Sequence, residues 1–520
     1  MQQDPSARSA LLPVLVARLR GPAGTGEDLK AITAACEEAR AAGLGDDPAL
    51  VEALDAATAG LDPILRESAV ALVTGDLGRY VRILDMVGNV MDLAPLEGIN
   101  QIFWSMQRQI FLMRMTPATV PDFTPARLFP FYERFVGEVA RRHGLRPAAR
   151  AAGAPATGRV VMVTNQLLSS QHQPTRDLLR QASLLQGECG REVVILNTNM
   201  MPDRYYSPFV PPFAAAVEEQ LTGEQLIGFE GRTFRLLSSI EPGLTAAKLQ
   251  GFLSAVEAVD PDVVVALGGS VLVADLLAPA RPLVSVATTT GATLSLADIV
   301  LDYGGTVPPA TEGRLAKSWR PFRLGLSLRR DGIAASRAGF GIADDAFACI
   351  VVSNRLDSEV SPDFLALLER LLDAVPRAEL LFAGVAESLP GRLARSRHAA
   401  RLRWLGYVER MDALMGVCDL YLNPRRTGGG ASAAQALAAG IPALSLPGGD
   451  VASVVGPAFL PEDAEALLQR AVALAGDAAL MAGARAAAAA RFAELAAEGG
   501  DASRLAAYLD EAIALFDARR

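Results

Sequence analysis

Asp419–Asp450 reads DLYLNPRRTGGGASAAQALAAGIPALSLPGGD, and this stretch decides the fold class. A short apolar run ends at Asn423-Pro424. A loop with two arginines and three glycines comes next, then an alanine-rich helical segment, then a second apolar run at Pro442–Leu446. Strand, loop, helix and strand in that order make the unit of a parallel sheet covered by helices. Glycines let the backbone approach a ligand closely, and free amides at a helix start bind anions. Arg425 and Arg426 add charge-assisted donors suited to phosphate. Thr427 or Ser432 can cap the helix or donate to a phosphate oxygen. The loop is not a Walker loop, because the terminal Gly-Lys-Ser/Thr is absent. The plainer alternative is a tight turn that binds nothing.

Outward from this loop the same alternation continues. Ala348–Ser353, Glu379–Ala383, Leu402–Leu405 and Asp419–Leu422 read as strands separated by helices. They give one Rossmann-like domain over 340–490. Val160–Val163, Glu192–Leu196, Val263–Leu267, Pro282–Ala287 and Ile299–Leu301 give another over 159–320. Ahead of both, residues 1–150 read as an all-helical domain, with apolar residues at helical spacing in Pro48–Ala59, Ile64–Leu72 and Gly98–Met115. The last of these is apolar on nearly every side. It is expected to be buried against the next domain or in a homo-oligomer interface. Arg146–Gly158, RPAARAAGAPATG, is the linker between the helical and α/β parts. Residues 491–520 read as a C-terminal helix, of the kind that often crosses back to the first domain. The expected class is therefore α/β, with two tandem Rossmann-like domains behind a helical one.

The composition fits this reading. A chain of 520 residues is too long for one core. With 51% hydrophobic and 21% charged residues it is a folded chain, and a net charge of −9, with acidic and basic residues mixed along the chain, argues weakly against nucleic acid as partner. Lys30, Lys248 and Lys317 are the only lysines, so phosphate contacts must come from arginine, hydroxyls and backbone amides. Cys36, Cys189, Cys349 and Cys418 are far apart and show no zinc spacing, as expected of reduced thiols in a cytoplasmic protein. The first residues lack the basic start and cleavage site of a signal peptide, and no run reaches the length of a membrane span. Asp260-Pro261-Asp262 has the form of a DxD metal motif, but it precedes a buried strand at the end away from a cleft and reads as a turn. No metal site is expected.

Gly428–Pro442, GGGASAAQALAAGIP, resembles the glycine-and-helix signature of GT-B glycosyltransferases of the retaining family 4 type. The resemblance implies that Gly428, Gly429, Gly430 and the helix after them hold the diphosphate and ribose of a nucleotide sugar. An acidic residue usually takes the ribose hydroxyls one turn into that helix. Here Gln435 stands there, and its amide can both donate and accept. Val351–Phe364, VVSNRLDSEVSPDF, is similar to the segment opening the nucleotide domain in these enzymes. It brings Asn354 and Arg355 to the diphosphate, with Glu359 near the place of a usual lysine. Trp404–Val408 is similar to the turn that lines the nucleobase pocket, which adds Gly406 and Tyr407.

In the first α/β domain, the polar loop Thr164–Arg176 should face the donor sugar and acceptor. His172 in that loop is the candidate catalytic base; the structural alternative is a residue that starts a helix and bonds to its own loop. Gly268-Gly269-Ser270 and Thr288–Gly291 are weaker candidates. The expectation is a metal-independent hexosyltransferase with no cofactor and a nucleotide diphosphate sugar as co-substrate. A helical region ahead of a GT-B pair resembles the layout of protein O-GlcNAc transferases and cytoplasmic adhesin glycosyltransferases, which implies a protein acceptor such as a bacterial surface protein. A polysaccharide or lipid-linked glycan acceptor, a nucleotide-sugar epimerase and a non-catalytic nucleotide-sugar-binding scaffold are the alternatives.

Overall fold

The computed structural model describes residues 5–113, 125–151, 154–169, 172–288, 293–303, 313–322, 336–498 and 502–520. The N-terminal part is helical, and its helices start where local chemistry dictates. Asp47 and Asp62 each accept the amides that open helices Pro48–Thr58 and Pro63–Thr74, with proline in the first turn of each.

Helix Leu96–Met113 ties this part to the first α/β domain. Ile99, Ile102, Phe103 and Met106 share one core with Val161, Val194 and Val264 of the first sheet. Asn100 Nδ2 donates to Met200 O at 2.9 Å. Helix Pro125–His143 adds a buried pin, in which the Tyr132 hydroxyl donates to Asp275 Oδ2 at 2.5 Å. Burial pushes the Asp275 carboxyl up to about 6, against the pull of its hydrogen bonds from Tyr132, Ser295 and Leu296. The helical region and the first α/β unit are thus packed as one core.

The first sheet comprises β1 Arg159–Thr164, β2 Glu192–Asn197, β3 Gly223–Phe229, β4 Arg232–Ser238, β5 Val263–Leu267, β6 Leu283–Val286, β7 Ile299–Tyr303 and β8 Trp319–Phe322. Their order is β3-β4-β2-β1-β5-β6-β7-β8, parallel except for the β3–β4 hairpin at the edge. The second sheet comprises β9 Phe347–Val352, β10 Ala378–Ala383, β11 Leu402–Gly406, β12 Leu420–Leu422 and β13 Ala443–Leu444. Its order is β11-β10-β9-β12-β13, all parallel. β5 is buried at every residue, as a strand covered on both faces must be.

Helices Ala464–Gly476 and Ala478–Glu498 belong to the second core through Leu467, Ala488 and Leu495. The expected boundary at 491 therefore falls inside a helix. The crossing segment is helix Ala502–Ala518, whose Leu505, Leu509 and Ala512 pack on Val160, Met162, Val263 and Val265 of the first sheet. Arg320 pairs with Glu511 at 2.6 Å to fix it there.

Asp260-Pro261-Asp262 forms a turn at the amino end of β5. Asp260 takes a left-handed conformation, φ 46°. Asp262 accepts the amides of Thr157 and Gly158 at 2.8 Å each and pairs with Arg150 at 2.7 Å. Among the described residues no single helix is long and apolar enough to cross a membrane.

Candidate functional site

Open parallel sheets bind ligands beyond the carboxyl ends of their strands, where the strand order reverses. In the second sheet that point lies between β9 and β12, because β10 flanks β9 on the other side. β9 leads into Asn354, Arg355 and the short helix Leu356–Glu359; β12 leads into Asn423 and the glycine loop. Two segments distant in sequence thus meet at one crevice.

Helix Gly430–Ala438 opens from that crevice. Gly429 precedes it with φ 105° and no side-chain cap. Its first amides therefore have no intrahelical acceptor, and the helix dipole places partial positive charge there. A Cβ on Gly429 would lie 2.4 Å from the Arg426 guanidinium, so glycine is required by both conformation and space.

The two arginines of the loop part company. Arg425 is exposed and makes no ion pair among the described residues. Arg426 turns inward and is 5% exposed. Its Nε donates to Asn423 Oδ1 at 2.8 Å, and Nη1 donates to Val352 O at 2.8 Å. Nη1 also meets Glu359 Oε2 at 2.8 Å, while Nη2 donates to the Tyr421 hydroxyl at 2.6 Å. The expected phosphate role of Arg426 is corrected by this: its donors are spent on the protein, and it ties β9 to β12. Ser432 sits inside the first turn and does not cap the helix. Ser432 Oγ donates to Gly429 O at 2.9 Å and lies 2.9 Å from the Tyr421 hydroxyl, and Thr427 O accepts the Asp450 amide at 2.6 Å.

Glu359 is the counterion of this arrangement. Its Oε1 meets Arg355 Nη2 at 2.7 Å while its Oε2 meets Arg426. Burial opposes its charge, but Arg426 and Arg355 outweigh burial and hold the carboxyl below its ordinary value. Burial likewise opposes the charge on Arg426; Tyr421 and Glu359 reverse that and raise it.

Around the crevice, Asn354 is exposed, Arg355 is half-buried, and Gln435 is half-buried one turn into the helix. Gly406 O accepts the Gly384 amide at 2.7 Å, and Tyr407 beside it is 53% exposed. Gly384 has φ 128°, and a Cβ there would come 1.9 Å from Ser353 O. Gly384→Ala is expected to push the Ser353–Arg355 turn outward and to destabilise the protein by about 1–3 kcal/mol. A denaturant midpoint equal to that of the unsubstituted protein would contradict this.

The first sheet reverses between β1 and β5. Asn165 after β1 donates to Ser270 O after β5 at 3.1 Å, and Ser270 sits at φ 51°. A non-glycine residue held there is backbone strain of the kind that collects at binding sites. His172 immediately precedes helix Gln173–Gly187. Its amide donates to Ser169 O at 3.0 Å, and Nδ1 lies 3.0 Å from Thr175 Oγ1, which also accepts the Leu168 amide at 3.0 Å. Burial lowers the imidazole pKa, which favours the neutral ring. Ser170, Gln171 and Thr289–Gly291 lie outside the described residues.

Residues 350–477 match the family model described as glycosyl transferases group 1. No curated protein matches the chain. Among solved structures, a mutant O-GlcNAc transferase of Thermobaculum terrenum is 18% identical and covers 99% of each chain with a TM-score of 0.55. A glycosyltransferase of Rickettsia africae is 11% identical, covering 68% of this chain and 98% of that one at TM-score 0.49. HepE of Anabaena in complex with UDP is 14% identical, covering 68% and 99% at TM-score 0.47.

The chain has the GT-B fold. Within this GT-B pair, the second domain brings Arg355, Arg425 and Gly428–Gly430 to one crevice, with Gln435 one turn along the helix. His172 belongs to the first domain's loops. Sequence reading missed the roles of Asn423 and Tyr421. Tyr421 is the central residue of buried β12 and Asn423 follows it directly, and a polar residue in or just after a buried strand was the available signal.

Proposed function

We propose that this protein transfers a sugar from a nucleotide diphosphate sugar to a hydroxyl or amide of a protein acceptor in the cytoplasm. One observation carries the donor half: the uncapped start of helix Gly430–Ala438 stands at the switch point of the second sheet beside Arg355 and the exposed Arg425. There the helix amides and Arg425 would take the diphosphate, and Gln435 the ribose hydroxyls. Asn354, Gly406 and Tyr407 would flank the nucleotide. As the glycosidic bond breaks, charge grows on the leaving diphosphate. Fixed amides, arginine and the helix dipole oppose it without reorganising. Glu359 is committed to two arginines, so these groups suit a diphosphate better than a metal ion.

His172 would deprotonate the acceptor. That role requires the tautomer in which Nδ1–H donates to Thr175, leaving the Nε2 lone pair free. Support for a protein acceptor is the shared layout with the Thermobaculum O-GlcNAc transferase, which extends through the helical region because it spans 99% of both chains.

Incubating the protein with a panel of nucleotide sugars, with and without candidate protein and glycan acceptors, tests the reading by mass spectrometry. Sugar on a protein acceptor supports it; sugar on glycan alone overturns the acceptor half. Arg425→Ala is expected to weaken nucleoside diphosphate binding about tenfold, the loss of one charge-assisted hydrogen bond. Unchanged affinity by calorimetry would remove Arg425 from the site.

A further inference from the structure

The helical region supplies part of the cleft wall. Gln101 Nε2 donates to Phe213 O at 3.3 Å. Trp104, close along the same helix, stacks on the Phe213 ring at 6.4 Å between centroids. The same segment is tied at Ala216 O to Gln166 Nε2, 2.7 Å away, and Gln166 follows β1. These contacts set one face of helix Leu96–Met113 at the carboxyl edge of the first sheet, where the cleft lies. Four residues beyond Trp104, and so on the same face, is Arg108. Its side chain is exposed, whereas neighbouring Gln109 is buried.

Arg108 lies within electrostatic reach of Arg355 and Glu359 across the cleft. Surrounding protein, then Arg355, holds its guanidinium below the ordinary value, with Glu359 opposing. Two arginines within reach of each other repel, and an anion between them removes the repulsion. The charges also count in favour of an anion. Glu359 offsets one of Arg355 and Arg426, so that trio keeps a single net positive charge. A diphosphate diester carries two negative charges, so beyond this trio, Arg425 and the helix amides there is room for a further cation on the facing wall.

We propose that Arg108 binds the donor diphosphate from the wall opposite Arg355, so that donor occupancy draws the helical region and the second domain together. This rests on the donor site proposed above. It gives the helical region a direct part in donor binding.

The test is calorimetry of the full chain and its Arg108→Ala and Arg108→Lys variants with UDP, GDP, ADP, CDP and dTDP. The nucleoside of whichever binds is then measured by ligand-observed NMR. Arg108→Ala is expected to weaken the diphosphate about ten- to hundredfold, with a shallower dependence on salt. Arg108→Lys should retain part of the affinity. Nucleoside binding and the ligand-free melting midpoint should stay unchanged. Unaltered diphosphate affinity in Arg108→Ala overturns this inference alone. A joint loss of nucleoside binding and thermal stability also overturns it, because the side chain would then be structural. An unsubstituted protein that binds none of the five overturns the donor-site reading and this inference with it.

Discussion

Glu359→Ala is expected to lower the stability of the second domain by about 3–5 kcal/mol, the cost of leaving a buried guanidinium without its carboxylate. Arg426 would keep Asn423, Val352 and Tyr421 as partners, but none of them carries a compensating charge. Denaturant unfolding measures the loss. A change under about 1 kcal/mol would show that water reaches the pair and that the crevice floor is open. The Glu359→Leu, Arg426→Met double variant is expected to recover much of the stability, because it removes both charges together.

The same pair predicts an acid response. The folded-state carboxyl titrates below its ordinary value, so its contribution is complete above the ordinary glutamate range. It is lost as pH falls through the depressed folded value. Glu359→Ala should therefore flatten the acid limb of the stability profile, and an unchanged limb would assign acid sensitivity to other carboxylates.

His172→Ala is expected to reduce turnover by about 10²–10⁴-fold, the usual contribution of a general base. Donor affinity should change little, because the imidazole belongs to the first domain and the diphosphate to the second. Burial lowers its pKa, so the neutral ring persists to more acid pH than for an ordinary histidine. The acid limb of the rate profile should be displaced accordingly. Thr175→Val should impair turnover as well, by freeing the ring from the bond that sets its tautomer. Full turnover in His172→Ala would leave the residue as the start of its helix and nothing more.

Much of the fold was legible because buried parallel strands announce themselves as apolar runs. Val263–Leu267 and Phe347–Val352 could hardly be anything else. The β3–β4 hairpin escaped for the converse reason. β3 is mostly exposed at the sheet edge, so its sequence lacks the apolar run. Its real signal was Glu230-Gly231, a turn with both residues at positive φ, as tight hairpins require. The location of the site was readable from the glycines, whereas the division of labour between Arg425 and Arg426 was not. Adjacent arginines look alike in sequence. Which one turns inward is decided by Tyr421, Asn423 and Glu359, and Glu359 comes from a strand-to-helix turn far earlier in the chain. Arg108 was obscured differently: with Glu97 it is one of two charges in a helix apolar on most sides, and it reads as an edge residue until the opposite wall is in view.

Helix Ala502–Ala518 covers a face of the first sheet whose strands begin at Arg159. On the ribosome, the part of that face that helix Gln173–Gly187 does not cover stays open while the whole second domain is synthesised. Val160, Met162, Val263 and Val265 must wait for Leu505 and Leu509 to emerge. The first α/β unit to be translated is thus the last to be completed, and a nascent chain halted before this helix would present an uncovered apolar surface to chaperones and proteases.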